Sequence, residues 1–445
     1  MPEAGFPRFG TDGVRGPALS RISPEFSLAL GRAAARVLGA ERIVLARDTR
    51  LSGPVLASAF AAGAAAEGCR VDEYGVLPTP AIARLSAVKN VPAAMITASH
   101  NPYHDNGIKL FAAGGRKIPD VVQVRIEDEL QRVSTDPTSS VEPAPIVVRT
   151  DGMSGYVGDL VGRFGEGALS GLRLVVDSAN GAMSAIAPDA LRRLGAEVIS
   201  LSDAPDGTNI NLDCGATSPD ALRDFVAKLD DVDMGFAFDG DGDREIAVDG
   251  SGNVVDGDRL IALSAVDRFR SGRLAGGVVV ATVMANLGFH RAMEAAGIQV
   301  ITTPVGDRHV LDAMEDGGFV LGGEQSGHII HRDMATTGDG LLAAVATAEL
   351  VRRSGRSLAD LARESMTSFP QVLLNVEVGH RPDDAATVLA ADIAAEEARL
   401  GSDGRVLVRA SGTEALVRVM VEAADVDDAR AAAERLAAAA RRHLS

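Results

Sequence analysis

The chain has 445 residues, 46% of them hydrophobic, and a formal net charge of −17. That length is too great for one core and points to roughly three domains, with four small ones possible. So acidic a composition excludes a broad nucleic-acid face, because a phosphate backbone demands a dominant basic patch, and any anionic ligand must be held by local arginines.

In chain order, Met1–Gly5 lacks the basic start and apolar stretch of a signal peptide, and no later apolar run reaches the ~18 residues that cross a bilayer. The expected setting is the cytoplasm, with no membrane partner. Arg42–Ala46 reads as a short β-branched strand that leads through an Ala-rich amphipathic stretch to a second apolar run at Cys69–Val71. The pattern recurs from Leu172–Val176 through Leu191–Gly195 to Val198–Ile199, and from Gly277–Val280 through Arg291–Glu294 to Val300–Ile301. Each is a βαβ unit by period and length, and Gly68, Gly195 and Gly297 stand where the helices should stop. The fold class is therefore α/β, with three similar domains built on mostly parallel mixed sheets.

The tail has another rhythm. Val372–Val378 reads as a strand, Asp383–Leu400 as a helix, Arg405–Val408 and Leu416–Val421 as strands, and Asp427–His443 as a closing amphipathic helix, a C-terminal α+β domain. Boundaries fall at the Ser/Thr/Pro-rich stretch 134–145, after the polar turn Asp249–Asn253, and near Phe369–Pro370, giving domains 1–150, 151–253, 254–368 and 369–445. Cys69 and Cys214 have no CxxC spacing and no His partner nearby, and are expected as buried free thiols.

One segment per domain carries chemistry. In the first, strand Ala93–Ile96 ends in Thr97-Ala98-Ser99-His100-Asn101-Pro102, so Ser99 lies on a loop at a strand's C-terminal edge, where ligands of parallel sheets gather. A lone Ser-His pair is more often a hydroxyl-rich turn. A hydrolase triad is disfavoured, since there is no G-x-S-x-G elbow and adjacent side chains are poorly placed for His100 to act as the base of Ser99. Lys109 can neutralise a phosphate near Ser99.

In the second domain, Asp239-Gly240-Asp241-Gly242-Asp243-Arg244 places a carboxylate at every second position. On an extended strand each step of two residues covers about 6.6 Å, too far for oxygens that share a cation bonded at about 2.1 Å. The segment must curl, and Gly240 and Gly242 are expected to take the positive φ that permits it. An EF-hand is excluded because its sixth position would be Arg244 and its twelfth Gly250, where Gly and a bidentate Glu are needed. A solvated acidic turn is the plain alternative, but three like charges so close repel without a cation. Mg²⁺ fits best, completed by a phosphate oxygen that Arg244 also faces.

The third segment, Gly322-Gly323-Glu324-Gln325-Ser326-Gly327-His328, mixes a carboxylate, an amide, a hydroxyl and an imidazole as sugar hydroxyls require. Alone it would be an ordinary turn, and His328 reads equally as a general acid/base or a capping partner. The fourth, Arg409-Ala410-Ser411-Gly412-Thr413-Glu414, lies between two strands, the second carrying Arg418, and suits a phosphate clamp as well as a plain hairpin turn. Four complementary loops in four domains point to a central cleft holding a small ligand.

These residues together resemble the α-D-phosphohexomutase superfamily, and within it the bacterial phosphoglucosamine mutase branch. The likeness runs the full length: an opening Phe9-Gly10-Thr11-Asp12-Gly13-Val14-Arg15-Gly16, then the serine, aspartate, sugar and phosphate loops in order. It implies interconversion of glucosamine 6-phosphate and glucosamine 1-phosphate, upstream of UDP-N-acetylglucosamine and cell-wall synthesis. It implies Ser99 as a phosphoserine and one Mg²⁺ held by Asp239, Asp241, Asp243 and a Ser99 phosphate oxygen. It further implies Arg15, Lys109 and Arg244 on the phosphoryl in flight, with His328 beside them. Glu324, Gln325 and Ser326 would hold the sugar, and Arg409, Ser411, Gly412, Thr413 and Arg418 the non-reacting phosphate. A sugar 1,6-bisphosphate would activate, and the molecule would be a monomer or homodimer. Gln325 is what favours glucosamine, since glucose and mannose relatives tend to carry another residue there, and the alternative is a phosphoglucomutase/phosphomannomutase of broad specificity. Two positions depart from the family pattern: Ala415 where proline is usual, and His309 where tyrosine is usual, to which no role is assigned.

Overall fold

The structure is a computed structural model that describes residues 6–10, 12–135, 141–379, 384–410 and 415–444. Part of the 134–145 boundary stretch, Asp383 at the start of the tail helix, and Ser411, Gly412 and Thr413 lie outside the described residues. The chain forms two compact units, the first from Met1–Met284 with Ile298–Arg363, the second from Ala285–Gly297 with Glu364–Ser445.

The first unit holds three sheets. In the first sheet Arg42–Arg47 runs parallel to Arg70–Val76 and to Ala93–Ile96, as expected of buried β-branched runs joined by helices. The helices Pro24–Leu38 and Gly53–Ala66 cover this sheet and meet backbone to backbone. A Cβ on Gly31 would stand 2.1 Å from the Phe60 carbonyl oxygen, and one on Gly63 2.0 Å from that of Leu28, so only glycine allows the approach. Ser23 caps the first of these helices, its Oγ accepting from Phe26 N at 3.1 Å.

In each sheet an antiparallel strand is added beside the parallel ones. Asp105–Ala112 returns antiparallel to Ala93–Ile96, Glu245–Asp249 to Met234–Phe238, and Ile329–His331 to Leu321–Gly323. The serine, aspartate and sugar loops are the connections of these three pairs. Asp105–Ala112 pairs on its other edge with Val14–Pro17, which brings Arg15 opposite Gly107, two residues from Lys109. The second sheet also takes in Val254–Val255, just past the polar turn Asp249–Asn253.

The second unit is a three-stranded antiparallel sheet, Gln371–Glu377, Leu416–Glu422 and Arg405–Ala410, covered by the helix Val426–His443. Its core is aliphatic and Ala-rich, including Val417, Val419, Val421, Leu436 and Ala440. The helix Leu287–Ala295, which by sequence is the crossover of the third βαβ unit, clusters here. Glu422 accepts from Asn286 Nδ2 at 3.1 Å and from Leu287 N at 3.2 Å, and a Cβ on Gly288 would fall 1.8 Å from the Thr367 carbonyl oxygen.

Candidate functional site

Ser99 is 1% exposed and adopts φ +52°, a left-handed conformation uncommon outside glycine. Its N–H donates to Thr97 Oγ1 at 2.9 Å, and its Oγ donates to Asp239 Oδ2 at 2.7 Å, linking the first domain's loop to the second's. His100 Nδ1 lies 3.4 Å from Ser99 Oγ, a long contact beside a good one. Burial, with Arg244 and Arg15 nearby, pushes the His100 imidazole down to about 4.

Asp239, Asp241 and Asp243 are buried and offer one oxygen each within 4.8 Å of one another. Opposed ligands of a Mg²⁺ ion span about 4.2 Å, so a small contraction closes the set. The curl is made differently from the sequence expectation. Gly242 has φ +73°, but Gly240 is not among the positive-φ residues. Gly240 is required by space: a Cβ there would stand 2.6 Å from the Ser99 carbonyl oxygen and 2.8 Å from Asn211 Nδ2. One glycine bends the loop and the other lets the two loops touch.

Lys109 is the counter-charge of this cluster, 2% exposed, with Nζ at 2.8 Å from Asp241 Oδ2, 3.0 Å from Asp243 Oδ2 and 2.9 Å from Asp12 Oδ2. Thr79 Oγ1 donates to Asp241 Oδ2 at 2.5 Å. The Oδ2 atoms of Asp241 and Asp243 are thus satisfied, whereas their Oδ1 atoms are buried without a hydrogen-bond partner. Such orphaned carboxylate oxygens are costly, and a hard cation between them removes the cost. Burial and then repulsion from Asp243 and Asp241 raise the Asp239 carboxyl to about 8. For Asp243 burial acts upward too, but Lys109, His328 and Arg244 outweigh it and hold the group well below the usual carboxylate range. The donor set fits Mg²⁺.

Around this core stand groups suited to an anion. The Nε atoms of Arg15 and Arg244 are buried without a hydrogen-bond partner. Arg15 pairs with Asp12, which also meets Lys117, and Lys117 in turn pairs with Asp307. His328 is 2% exposed between two carboxylates, Nδ1 3.7 Å from Asp243 and Nε2 3.6 Å from Asp307. Burial pulls its imidazole down, but Asp243 and Asp307 outweigh that and raise it. In the sugar loop Glu324 Oε1 accepts from Gly306 N at 3.1 Å, Gln325 hydrogen-bonds Asp256, and Ser326 is exposed. Gly327, at φ +88°, packs against the Glu245 carbonyl.

In the second unit Arg409 and Arg418 are direct cross-strand partners. Like charges in that position repel, and neither guanidinium has a hydrogen bond or ion pair among the described residues. The Arg409 guanidinium is pulled down by burial and by Arg418.

Sequence reasoning assigned no role to Asp12, Thr79, Lys117 or Asp307. Asp12 lies in the opening Phe9–Gly16 run, so a signal existed. Thr79 and Lys117 sit in unremarkable sequence and reach the cluster only through folding, while Asp307 lies in the run Gly306–His309, noted for its departure at His309 without a role for the aspartate.

Residues 7–136, 155–252 and 256–369 match the profiles described as phosphoglucomutase/phosphomannomutase alpha/beta/alpha domains I, II and III, and residues 373–439 match that family's C-terminal domain. The chain is 50% identical over 438 residues to the phosphoglucosamine mutase of Saccharopolyspora erythraea, covering 96% of this chain and 98% of the relative. It is 49% identical over 423 residues to that of Desulforudis audaxviator, covering 93% of each. Among solved structures, a phosphoglucomutase/phosphomannomutase family protein from Burkholderia thailandensis is similar with a TM-score of 0.80 at 26% identity, over 98% of this chain and 96% of that one.

Proposed function

The chain belongs to the phosphoglucomutase/phosphomannomutase family, and on that footing we propose that it interconverts α-D-glucosamine 6-phosphate and α-D-glucosamine 1-phosphate, as its curated relatives are named for doing. It is an isomerase of the phosphotransferase kind, supplying UDP-N-acetylglucosamine and so peptidoglycan precursors. The observation that carries the reading is Ser99 Oγ at 2.7 Å from Asp239, in a buried three-carboxylate cluster where Oδ1 of Asp241 and of Asp243 has no hydrogen-bond partner.

Asp239, Asp241, Asp243 and a phosphoserine oxygen would hold Mg²⁺, which when bound draws charge from the phosphoryl oxygens. Ser99 Oγ carries the phosphoryl group. A sugar hydroxyl attacks phosphorus, the bond to Ser99 Oγ breaks, and a sugar bisphosphate results; it turns over, and its other phosphate returns to Ser99. Arg15, Lys109 and Arg244 stabilise the charge in flight, since such transfers rest on positioning and electrostatics. His328, between Asp243 and Asp307, stands beside the transferring group as a general acid/base. Glu324, Gln325 and Ser326 orient the sugar, and Arg409, Ser411, Gly412, Thr413 and Arg418 grip the phosphate that is not reacting. A sugar 1,6-bisphosphate restores enzyme that has lost its phosphate. The setting is cytoplasmic, in keeping with the absence among described residues of any helix long and apolar enough to cross a membrane.

The test compares turnover of glucosamine, glucose and mannose 6-phosphates with a trace of bisphosphate present. Glucosamine 6-phosphate should be preferred at least about tenfold. Negligible turnover of glucosamine 6-phosphate beside good turnover of the others would overturn the assignment in favour of a broad-specificity hexose mutase.

A further inference from the structure

The backbone of the serine loop at Ser99 and Asn101 is held by side chains from two domains. Arg50, fully buried, directs Nη2 to the carbonyl oxygens of Ser99 and Asn101, both at 2.8 Å, and Nη1 to those of Asp105 at 3.0 Å and Pro102. Its Nε and backbone N–H donate to Asp48 at 2.8 and 3.0 Å. Asp48 also accepts from Thr97 Oγ1 at 2.7 Å, and Thr97 Oγ1 accepts the Ser99 N–H. Both ends of the Ser99 backbone thus run to one buried ion pair. From the second domain Asn211 Nδ2 reaches the same two carbonyls, Ser99 at 2.9 Å and Asn101 at 3.1 Å, while its own Oδ1 is buried without a hydrogen-bond partner. Leaving that oxygen unpaired is unfavourable, so the donors are what the position retains. Gly240 closes the third side.

We propose that Arg50 and Asn211 form a clip that holds Ser99 in its left-handed conformation and aims Oγ at Asp239, acting as positioning residues for phosphoryl transfer. This rests on the reading that Ser99 is the phosphoryl carrier. Arg50 is not an anion ligand: Asp48 neutralises it, and its forked N–H groups are spent on carbonyls, a geometry lysine cannot reproduce. Transfer requires in-line placement to a fraction of an ångström, and the clip supplies it from the domain that bears the nucleophile and the domain that bears the carboxylates.

The experiment compares the wild type with Asn211→Ala and Arg50→Lys for kcat, KM, melting temperature and the rate at which intact mass shows Ser99 taking phosphate from glucose 1,6-bisphosphate. Asn211→Ala should lower kcat and the phosphorylation rate about 10- to 100-fold with KM within about twofold, and Arg50→Lys should lower them further. The melting temperature of Asn211→Ala should fall by only a few degrees. A kcat and phosphorylation rate within twofold of wild type in Asn211→Ala overturns the proposal, as does a loss explained wholly by a smaller folded fraction. Should Arg50→Lys not fold, Asn211→Ala decides alone. A wild type that takes phosphate but turns over no hexosamine phosphate overturns the proposed substrate and leaves the clip to be judged on phosphorylation rate. A wild type that does neither overturns both.

Discussion

Lys109 and the pair Arg409/Arg418 meet their charge problem in opposite ways. Lys109 is shut in with Asp12, Asp241 and Asp243 around its ammonium group. Arg409 and Arg418 stand opposite one another on paired strands, with no counter-charge among the described residues. Both lie on antiparallel strand pairs. A buried charge must be neutralised by the protein itself, and the resulting lattice is fixed before any ligand arrives, as stabilising charge in a transition state requires. A like-charged pair open to solvent on one member, with Arg409 half-buried and Arg418 exposed, leaves its counter-charge to the ligand, as gripping a phosphate requires. The first arrangement suits chemistry and the second suits binding.

Ser99→Ala is the hardest test of that division. It should remove at least about a thousandfold of turnover, as loss of a covalent carrier does, while the melting temperature stays within a few degrees. Near-normal turnover would refute the phosphoserine mechanism. Next in size is Lys109→Met, which strands the carboxylates without their cation. Turnover should fall about a hundredfold, and stability in EDTA by about 3 kcal/mol, the scale of breaking a buried pair. Added Mg²⁺ should recover part of the stability, measured by urea unfolding with and without the metal. Equal stability in both conditions would break the link between Lys109 and the metal site.

A control separates burial alone from burial around a metal. Asp339 accepts from Tyr156 Oη at 2.6 Å and from Leu342 N at 2.9 Å, yet burial raises its carboxyl to about 6. The raised value means the folded state holds the proton more tightly, so this stabilisation is complete below the unfolded pKa near 4 and is lost as pH rises through about 6. Asp339→Asn keeps the acceptor and cannot ionise. Its stability relative to wild type should improve by up to about 3 kcal/mol between pH 4 and 7, with no dependence on Mg²⁺; a flat difference across that range would contradict the shift. The smallest effect belongs to the open pair. Arg418→Ala should raise KM about tenfold, the scale of one charge-assisted hydrogen bond, and leave kcat and stability nearly unchanged. A fall in kcat larger than the rise in KM would erase the contrast with Lys109.

Much of this was legible in residues close together in sequence. The βαβ units showed as β-branched runs with period and glycine stops, and the aspartate loop showed as carboxylates too closely spaced for an extended strand. What stayed hidden had no local pattern. Gly240 was expected to supply a positive φ, yet its reason is the Ser99 carbonyl of another domain. Thr79 and Lys117 carry no motif, and Asn211 looks like any turn asparagine. The helix Leu287–Ala295 has a crossover's period, but period does not say which surface its apolar face will meet.

The sequence by itself determined the element types, the four loops, the candidate nucleophile and the carboxylates near it, because those depend on backbone periodicity and on charges only a few residues apart. Only the tertiary structure decided which carboxylate oxygens are buried unpaired, which lysine is shut among the aspartates and which side chains hold the Ser99 peptide. Those are contacts between segments from about fifty to more than a hundred residues apart, and burial sets their energies where nothing in a linear pattern records it.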